Sequence, residues 1–154
     1  MIRVTLWHIP EDFGFRIRDL GCCECIGADG SEHELKYRFY SSESMVAVAV
    51  ISEFDLIPIT VEFSREGVEP VDPAEWDRIV ECPLKASSGA LIFESSYGDQ
   101  FGRLDLPKGG YRLRILYGGQ DTRDISGSSS DCYLIQIWPS QDMSCRIIKP
   151  TGEG

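Results

Sequence analysis

Alternation of apolar and polar residues with a period of two dominates this sequence, and no stretch sustains the 3.6-residue period of an amphipathic helix. Between Tyr111 and Ile115, for example, the apolar side chains are separated by Arg112 and Arg114. The same pattern recurs at residues 35–39 and 59–63. It is typical of strands with one buried and one solvated face. The sequence therefore predicts an all-β protein.

Two segments are apolar enough for deep burial, namely residues 45–51 and 133–138, and the first is expected to be a central strand. Further strands are predicted near residues 2–7, 13–18, 78–84, 90–95, 101–106 and 144–149, between clusters of Gly, Pro, Ser and Asp. This spacing favours an antiparallel β-sandwich of jelly-roll-like type. The predicted core includes Val48, Val50, Phe63, Leu113, Ile115 and Ile135.

Local signals predict one short helix and one tight turn. Asp72 is a good N-cap and Pro73 suits the first helical position, so a helix of one or two turns is expected to start there. Residues 106–111 carry Pro107, Gly109 and Gly110 between two alternating segments, which predicts a hairpin turn. Residues 118–131 have the composition of a long loop.

With 154 residues, 42% of them hydrophobic, the chain fits one domain with one core. We expect a single sandwich domain over residues 1–149 and a flexible tail over residues 150–154. No apolar run approaches the length of a membrane span, and the N-terminal residues lack the pattern of a signal peptide. The expected location is the cytoplasm, where the six cysteines would stay reduced.

Negative charge is concentrated in one part of the chain. The formal net charge is −10, and residues 41–80 hold nine acidic residues against two basic ones, whereas residues 81–120 are nearly balanced. Direct binding of nucleic acid is not expected, because neutralising phosphates takes clustered Lys and Arg. A basic protein is the expected partner. The predicted partner-binding face consists of Glu62, Glu66, Glu69, Asp72, Glu75, Trp76 and Asp77.

Two groups of residues have the chemistry of metal ligands without the spacing of a metal site. Cys22, Cys23 and Cys25, followed by His33, are zinc-type donors, but no second cysteine pair completes a structural site. Three carboxylates in the long loop, Asp121, Asp124 and Asp131, do not match an EF-hand and are read as solvated. We therefore predict no metal and no cofactor.

An enzyme and a carbohydrate-binding module are the alternatives to a protein-binding role. The usual serine-hydrolase, metalloprotease and phosphate-binding motifs are missing, so an enzyme would need a cysteine close to His8 or His33. A carbohydrate-binding or small-ligand sandwich would need exposed aromatic rings in a concave site. Core packing is the favoured role for Trp7, Trp76 and Trp138, with Trp76 as the one candidate interface anchor.

Four segments carry a resemblance to a known family. They are residues 78–84 (RIVECPL), 89–95 (GALIFES), 104–113 (LDLPKGGYRL) and 131–135 (DCYLI). Together they resemble the C-terminal half of the competence protein J family, over roughly residues 76–138. That family inhibits a bacterial DNA-entry nuclease, so the resemblance implies an inhibitor or immunity-type protein that binds a basic nuclease. The matching residues are scaffold residues, and the resemblance transfers no inhibitory residue.

Overall fold

The computed structural model describes residues 1–10, 14–22, 39–51, 55–120 and 130–149, and within these ranges it contains eleven strands in two sheets. The strands are β1 (Ile2–His8), β2 (Gly14–Asp19), β3 (Phe39–Ser41), β4 (Met45–Ala49), β5 (Ile57–Phe63), β6 (Arg78–Ala86), β7 (Ala90–Ser95), β8 (Gln100–Asp105), β9 (Gly109–Gly118), β10 (Cys132–Pro139) and β11 (Arg146–Lys149).

The two sheets face each other across one hydrophobic cluster, which confirms the predicted all-β sandwich. One sheet has six strands in the order β1-β5-β10-β9-β6-β11, and the other has five in the order β3-β4-β2-β7-β8. The prediction of purely antiparallel sheets is wrong at one place, because β10 pairs with β5 in parallel. The other strand pairs are antiparallel. The parallel pair joins segments far apart in sequence, which local patterning does not reveal.

Alternating residues of both sheets build the core. All six residues predicted to be buried are at most 5% exposed. Aromatic rings connect the sheets: Phe15 of β2 meets Tyr133 of β10 edge to face, with ring centroids 5.9 Å apart. The apolar segment at residues 45–51 gives β4, which lies between β3 and β2. Of the strand predicted at residues 35–39, only Phe39 lies within the described residues.

The predicted hairpin at residues 106–111 is wrong, because the two strands that it joins belong to different sheets. β8 pairs with β7, whereas β9 pairs with β10 and β6. Residues 106–108 therefore connect the sheets. Leu106 N–H donates to Gly89 O, with 3.0 Å between the atoms, and this bond ties the connection to the turn before β7.

The predicted short helix is confirmed as a single 3₁₀ turn over Pro73–Glu75. Asp72 is its N-cap, and its side chain accepts a hydrogen bond from Ala74 N–H. In the part of the chain that the structure describes, no helix has the length and apolarity that crossing a membrane would require. The predicted tail and five candidate metal ligands lie outside the described residues: Cys23, Cys25, His33, Asp121 and Asp124.

Candidate protein-binding face

Residues 64–77, the acidic segment, connect β5 to β6 across the outer face of the six-stranded sheet. These two strands are not neighbours, because β10 and β9 lie between them. The segment carries Glu66, Glu69, Asp72, Glu75 and Asp77 against one arginine, a balance of −4. Its path brings this charge to the side of the sheet that faces away from the core.

Hydrogen bonds fix the acidic segment to successive strands. Ser64 N–H donates to Ile137 O of β10 (3.1 Å), and Asp77 N–H donates to Tyr117 O of β9 (2.8 Å). Between these ends, Glu69 O accepts from Arg114 Nη1 at 3.3 Å. The ammonium of Lys149 in β11 donates to Pro73 O at 2.8 Å. The segment is therefore held at both ends and at two points along its length.

Trp76 packs the end of this segment onto the sheet. A methyl group placed on Gly118 of β9 would lie 3.2 Å from the Trp76 ring and 2.9 Å from Cys132 Sγ. A glycine is needed here because the indole approaches the backbone more closely than a side chain would allow. Asp77 beside it accepts a 2.8 Å hydrogen bond from Gln120 N–H. Trp76 and Asp77 are both half-buried.

The predicted face thus divides into an exposed part and an internally bound part. The exposed carboxylates are Glu66, Glu69, Asp72 and Glu75. No ion pair to any of these four occurs among the described residues. Glu62 does not belong with them, because it is 8% exposed in β5 and bound to neighbouring strands.

Glu62 belongs instead to a polar row that runs across all six strands on the outer face. The row consists of Arg3, Glu62, Gln136, Arg114, Glu81 and Arg146, each directly opposite the next in the strand register. Gln136 Nε2 donates to Glu62 Oε1 (3.0 Å), and Arg114 Nη1 donates to Gln136 Oε1 (3.1 Å). Contacts link the row from Arg3 to Glu81, and Arg114 connects it to the acidic segment at Glu69 O.

Glu81 is the residue of this row that binds two arginines. It accepts hydrogen bonds from Arg112 Nε at 2.9 Å and from Arg114 Nε at 3.0 Å. Burial alone would raise the pKa of Glu81, but the two guanidinium groups outweigh it and hold that pKa below the usual value. Arg112 also donates to Ser144 O at 2.7 Å, and Arg114 lies over the Trp138 ring at 5.2 Å. These arginines are engaged in internal contacts.

Sequence reasoning missed this network although it found every strand that carries it. Arg112, Arg114, Glu62 and Gln136 occupy alternating positions, which is the usual sign of a solvated strand face. Their partners lie on strands distant in sequence, so only the register reveals the pairing. The clue in the sequence is the number of charged and amide side chains at the polar positions of these strands. Strand pairing can bring such side chains together.

The described residues include four cysteines and one histidine. Cys22, Cys82, Cys132 and Cys145 form no disulfide with one another, and burial raises the pKa of Cys82 to about 12. His8 stacks on Phe101, and its Nε2 has no hydrogen-bond partner among the described residues. Within those residues no group of three or more His, Cys, Asp or Glu side chains is arranged to hold a metal ion.

The tryptophans contradict the predicted core role, since none belongs to the core cluster. Trp7 is 58% exposed, and Trp76 and Trp138 are half-buried on the outer face. They do not line the cleft of about 690 Å³ at the Phe63 end of β5, where Arg65, Glu66 and Asp105 lie. This cleft does not have the exposed rings and low charge that a carbohydrate site needs.

Comparison with solved structures identifies the architecture. The crystal structure of ComJ from Bacillus subtilis, described as the inhibitor of the DNA-degrading activity of NucA, superposes with a TM-score of 0.64 and 15% sequence identity. The match covers 91% of this chain and 96% of ComJ. The chain has a ComJ-like fold. This likeness extends well beyond residues 76–138, to which the sequence resemblance is limited.

A second solved structure has the ComJ-like fold at lower similarity. The protein described as crocagin biosynthetic gene J matches with a TM-score of 0.55 and 15% identity, over 92% of this chain and all of that protein. No family model and no curated protein matches the sequence. At these identities the similarity concerns the fold, and activity has to be argued from the residues of this chain.

Proposed function

We propose that this protein binds a basic nuclease and inhibits it, using the exposed carboxylates of the acidic segment. The observation that supports the proposal is that Glu66, Glu69, Asp72 and Glu75 are exposed and form no ion pair among the described residues, on a segment anchored to the sheet. Fixed negative charges of this kind can occupy the groove in which a nuclease binds phosphates. The ComJ-like fold supports the proposal, because ComJ is itself described as a nuclease inhibitor.

Electrostatics explains why a basic enzyme would be preferred. Complementary charge raises the association rate of two proteins by orders of magnitude and suppresses wrong partners. The basic residues that would oppose such a partner are largely engaged elsewhere, since Arg112 and Arg114 are bound to Glu81. The outer face around residues 66–75 therefore presents mainly negative charge.

A pull-down followed by an activity assay tests this proposal. The immobilised protein is exposed to an extract of its own cell at low salt, and the fraction eluted at raised salt is assayed for degradation of plasmid DNA. We expect a DNA-degrading enzyme in this fraction and stoichiometric loss of its activity when the free protein is added back. An eluate without nuclease activity, or a nuclease unaffected by the added protein, contradicts the proposal.

Matched charge reversals distinguish an effect of the acidic segment on inhibition from an effect of the net charge. The double variant Glu69→Lys/Glu75→Lys alters two exposed carboxylates of the segment. The control Glu43→Lys/Asp99→Lys makes the same change at two exposed positions next to strands of the other sheet. We expect the first variant to lose inhibition by roughly tenfold or more and the control to keep most of it. Equal losses in both would place the binding face elsewhere.

A further inference from the structure

We propose that β1 is a dimerisation strand, which pairs antiparallel with β1 of a second copy about a twofold axis at Thr5. The pairing would join two six-stranded sheets into one continuous sheet. Among the described strands, β1 pairs only with β5, so its other edge presents a row of backbone N–H and C=O groups. This inference is independent of the proposed nuclease inhibition.

The other three sheet edges have features that discourage pairing, and β1 does not. β3 has three residues, and β11 has a register irregularity and ends in Lys149. The register of β8 with β7 also shifts, and its end carries Arg103 and Asp105. In contrast, β1 pairs with β5 in unbroken register over seven residues and contains no proline. Proteins protect sheet edges with short strands, bulges and charges. Of these features β1 has only a single charged side chain, that of Arg3.

The edge of β1 is also apolar on both faces. Trp7 and Ile9 are 58% and 52% exposed on the outer side, and Ile2 and Val4 are 50% and 42% exposed on the core side. The strand itself is firmly placed, because Leu6 packs on Gly102 of β8 and the His8 ring stacks on Phe101 at 4.0 Å. A rigid strand with exposed apolar side chains has little ordering entropy to lose on pairing.

The sequence of β1 is complementary to itself in this arrangement. A twofold axis at Thr5 puts Trp7 of each copy opposite Arg3 of the other, a cation–π pair that occurs twice. It also puts Val4 opposite Leu6 on the core face and Ile9 opposite Met1 on the outer face. All the exposed apolar side chains of the strand and its flanks thereby gain a partner. This self-complementarity identifies a second copy as the occupant.

Charge argues against a basic partner at the same edge. β1 has no carboxylate, and its single charged residue, Arg3, is bound to Glu62 of its own chain at 3.2 Å. The acidic segment makes its anchoring contacts farther across the sheet, at Arg114 of β9 and Lys149 of β11. Residues 69–75 therefore stay accessible in the dimer, and each copy retains its acidic segment.

Mass measurement with two substitutions at one residue tests the register as well as the assembly. Light scattering or sedimentation over a concentration series should show a species of twice the 17.3 kDa chain mass. Trp7→Lys sets like charges opposite each other and should give monomer, whereas Trp7→Glu sets a carboxylate opposite Arg3 and should keep the dimer. Both remove the same exposed indole, so general hydrophobic adhesion predicts equal loss in both.

Three results would overturn the proposal: a wild-type monomer at every concentration, a dimer that Trp7→Lys leaves intact, or equal loss with both substitutions. Tyr97→Lys, at a position 67% exposed next to β8, serves as the control and should leave the mass unchanged. A cross-link provides a second readout. In a Cys145→Ser background, Thr5→Cys should form a covalent dimer on oxidation, and Ile2→Cys should not.

Discussion

His8 is a buried imidazole in a setting that favours its neutral form. Burial lowers its pKa from the ordinary value of 6.5. Between the lowered pKa of the folded state and the ordinary value of 6.5, the unfolded chain binds a proton at His8 that the folded chain does not. The stability that depends on neutral His8 is therefore fully present above pH 6.5 and is lost as the pH falls through the folded-state pKa.

We accordingly expect the urea midpoint of unfolding to fall between about pH 7.5 and about pH 5. His8→Phe, which keeps a ring on Phe101, should flatten this part of the profile. The lowered pKa of Glu81 acts in a separate window, because its contribution is lost only as the pH falls below 4.5. An unchanged slope in His8→Phe would mean that another group, not His8, causes the pH dependence.

Replacing Glu81 tests how much a charged side chain on the outer face of the sheet contributes to the free energy of unfolding. Among the described residues, Glu81→Leu leaves Arg114 without an ion-pair partner and leaves Arg112, which is 3% exposed, with only Asp142 at 3.8 Å. Removing one partner of a buried ion pair costs about 3–5 kcal/mol, so we expect a loss of about 3 kcal/mol in the free energy of unfolding, measured in urea.

Glu43→Leu is the matched control for this experiment. Glu43 forms an ion pair with Lys85 at 3.5 Å, and both side chains are more than half exposed. An exposed pair is worth at most about 1 kcal/mol, so this variant should unfold close to the wild type. Similar costs for the two variants would show that the polar row contributes no more than an ordinary surface pair.

At the scale of elements, the contact between the acidic segment and the sheet depends on Gly118. Gly118→Ala forces a methyl group against the Trp76 ring and Cys132 Sγ, and overpacking of this kind costs about 1–3 kcal/mol. We expect a lower unfolding midpoint and an altered tryptophan emission spectrum. Adding Cys132→Ala makes room on one side and should recover part of the loss. Without any such recovery, the contact with Sγ is not what limits this site.

Strand positions were accessible from the sequence because alternation is a local property. The segments at residues 59–63 and 111–115 lie within β5 and β9, and the burial of Phe63 and Leu113 follows from the same pattern. Pairing is not local. The parallel partner of β5, the connection of residues 106–108 between sheets and the polar row depend on contacts between segments that are far apart in sequence.

The candidate face shows the same division. Charge counting alone selects Glu66, Glu69, Asp72 and Glu75, all of which are exposed. It also selects Glu62, because a carboxylate on an alternating strand resembles a solvated one until Gln136 is known to lie opposite. Charge density predicts where negative residues occur along the chain, whereas register decides which of them remain available to a partner.

At the scale of the whole molecule, the sandwich separates two kinds of charge. Buried charge on the outer face is paired across strands and stabilises the sheet, as with Glu81 and its two arginines. Exposed carboxylates on the acidic segment form no ion pair among the described residues, and the segment that carries them is anchored to the sheet. A partner would therefore meet negative charge whose position is set by the fold.

The salt dependence of association with the nuclease tests this account most directly. Rates measured by stopped flow from about 0.05 to about 0.5 M salt should fall steeply for the wild type, because screening shortens the reach of exposed charges to about 8 Å at physiological ionic strength. Glu69→Lys/Glu75→Lys should associate at least about tenfold more slowly at low salt and with a shallower salt slope, while Glu43→Lys/Asp99→Lys stays close to the wild type. A wild-type rate independent of salt, or equal slowing by the two double variants, would contradict the assignment of binding to the acidic segment.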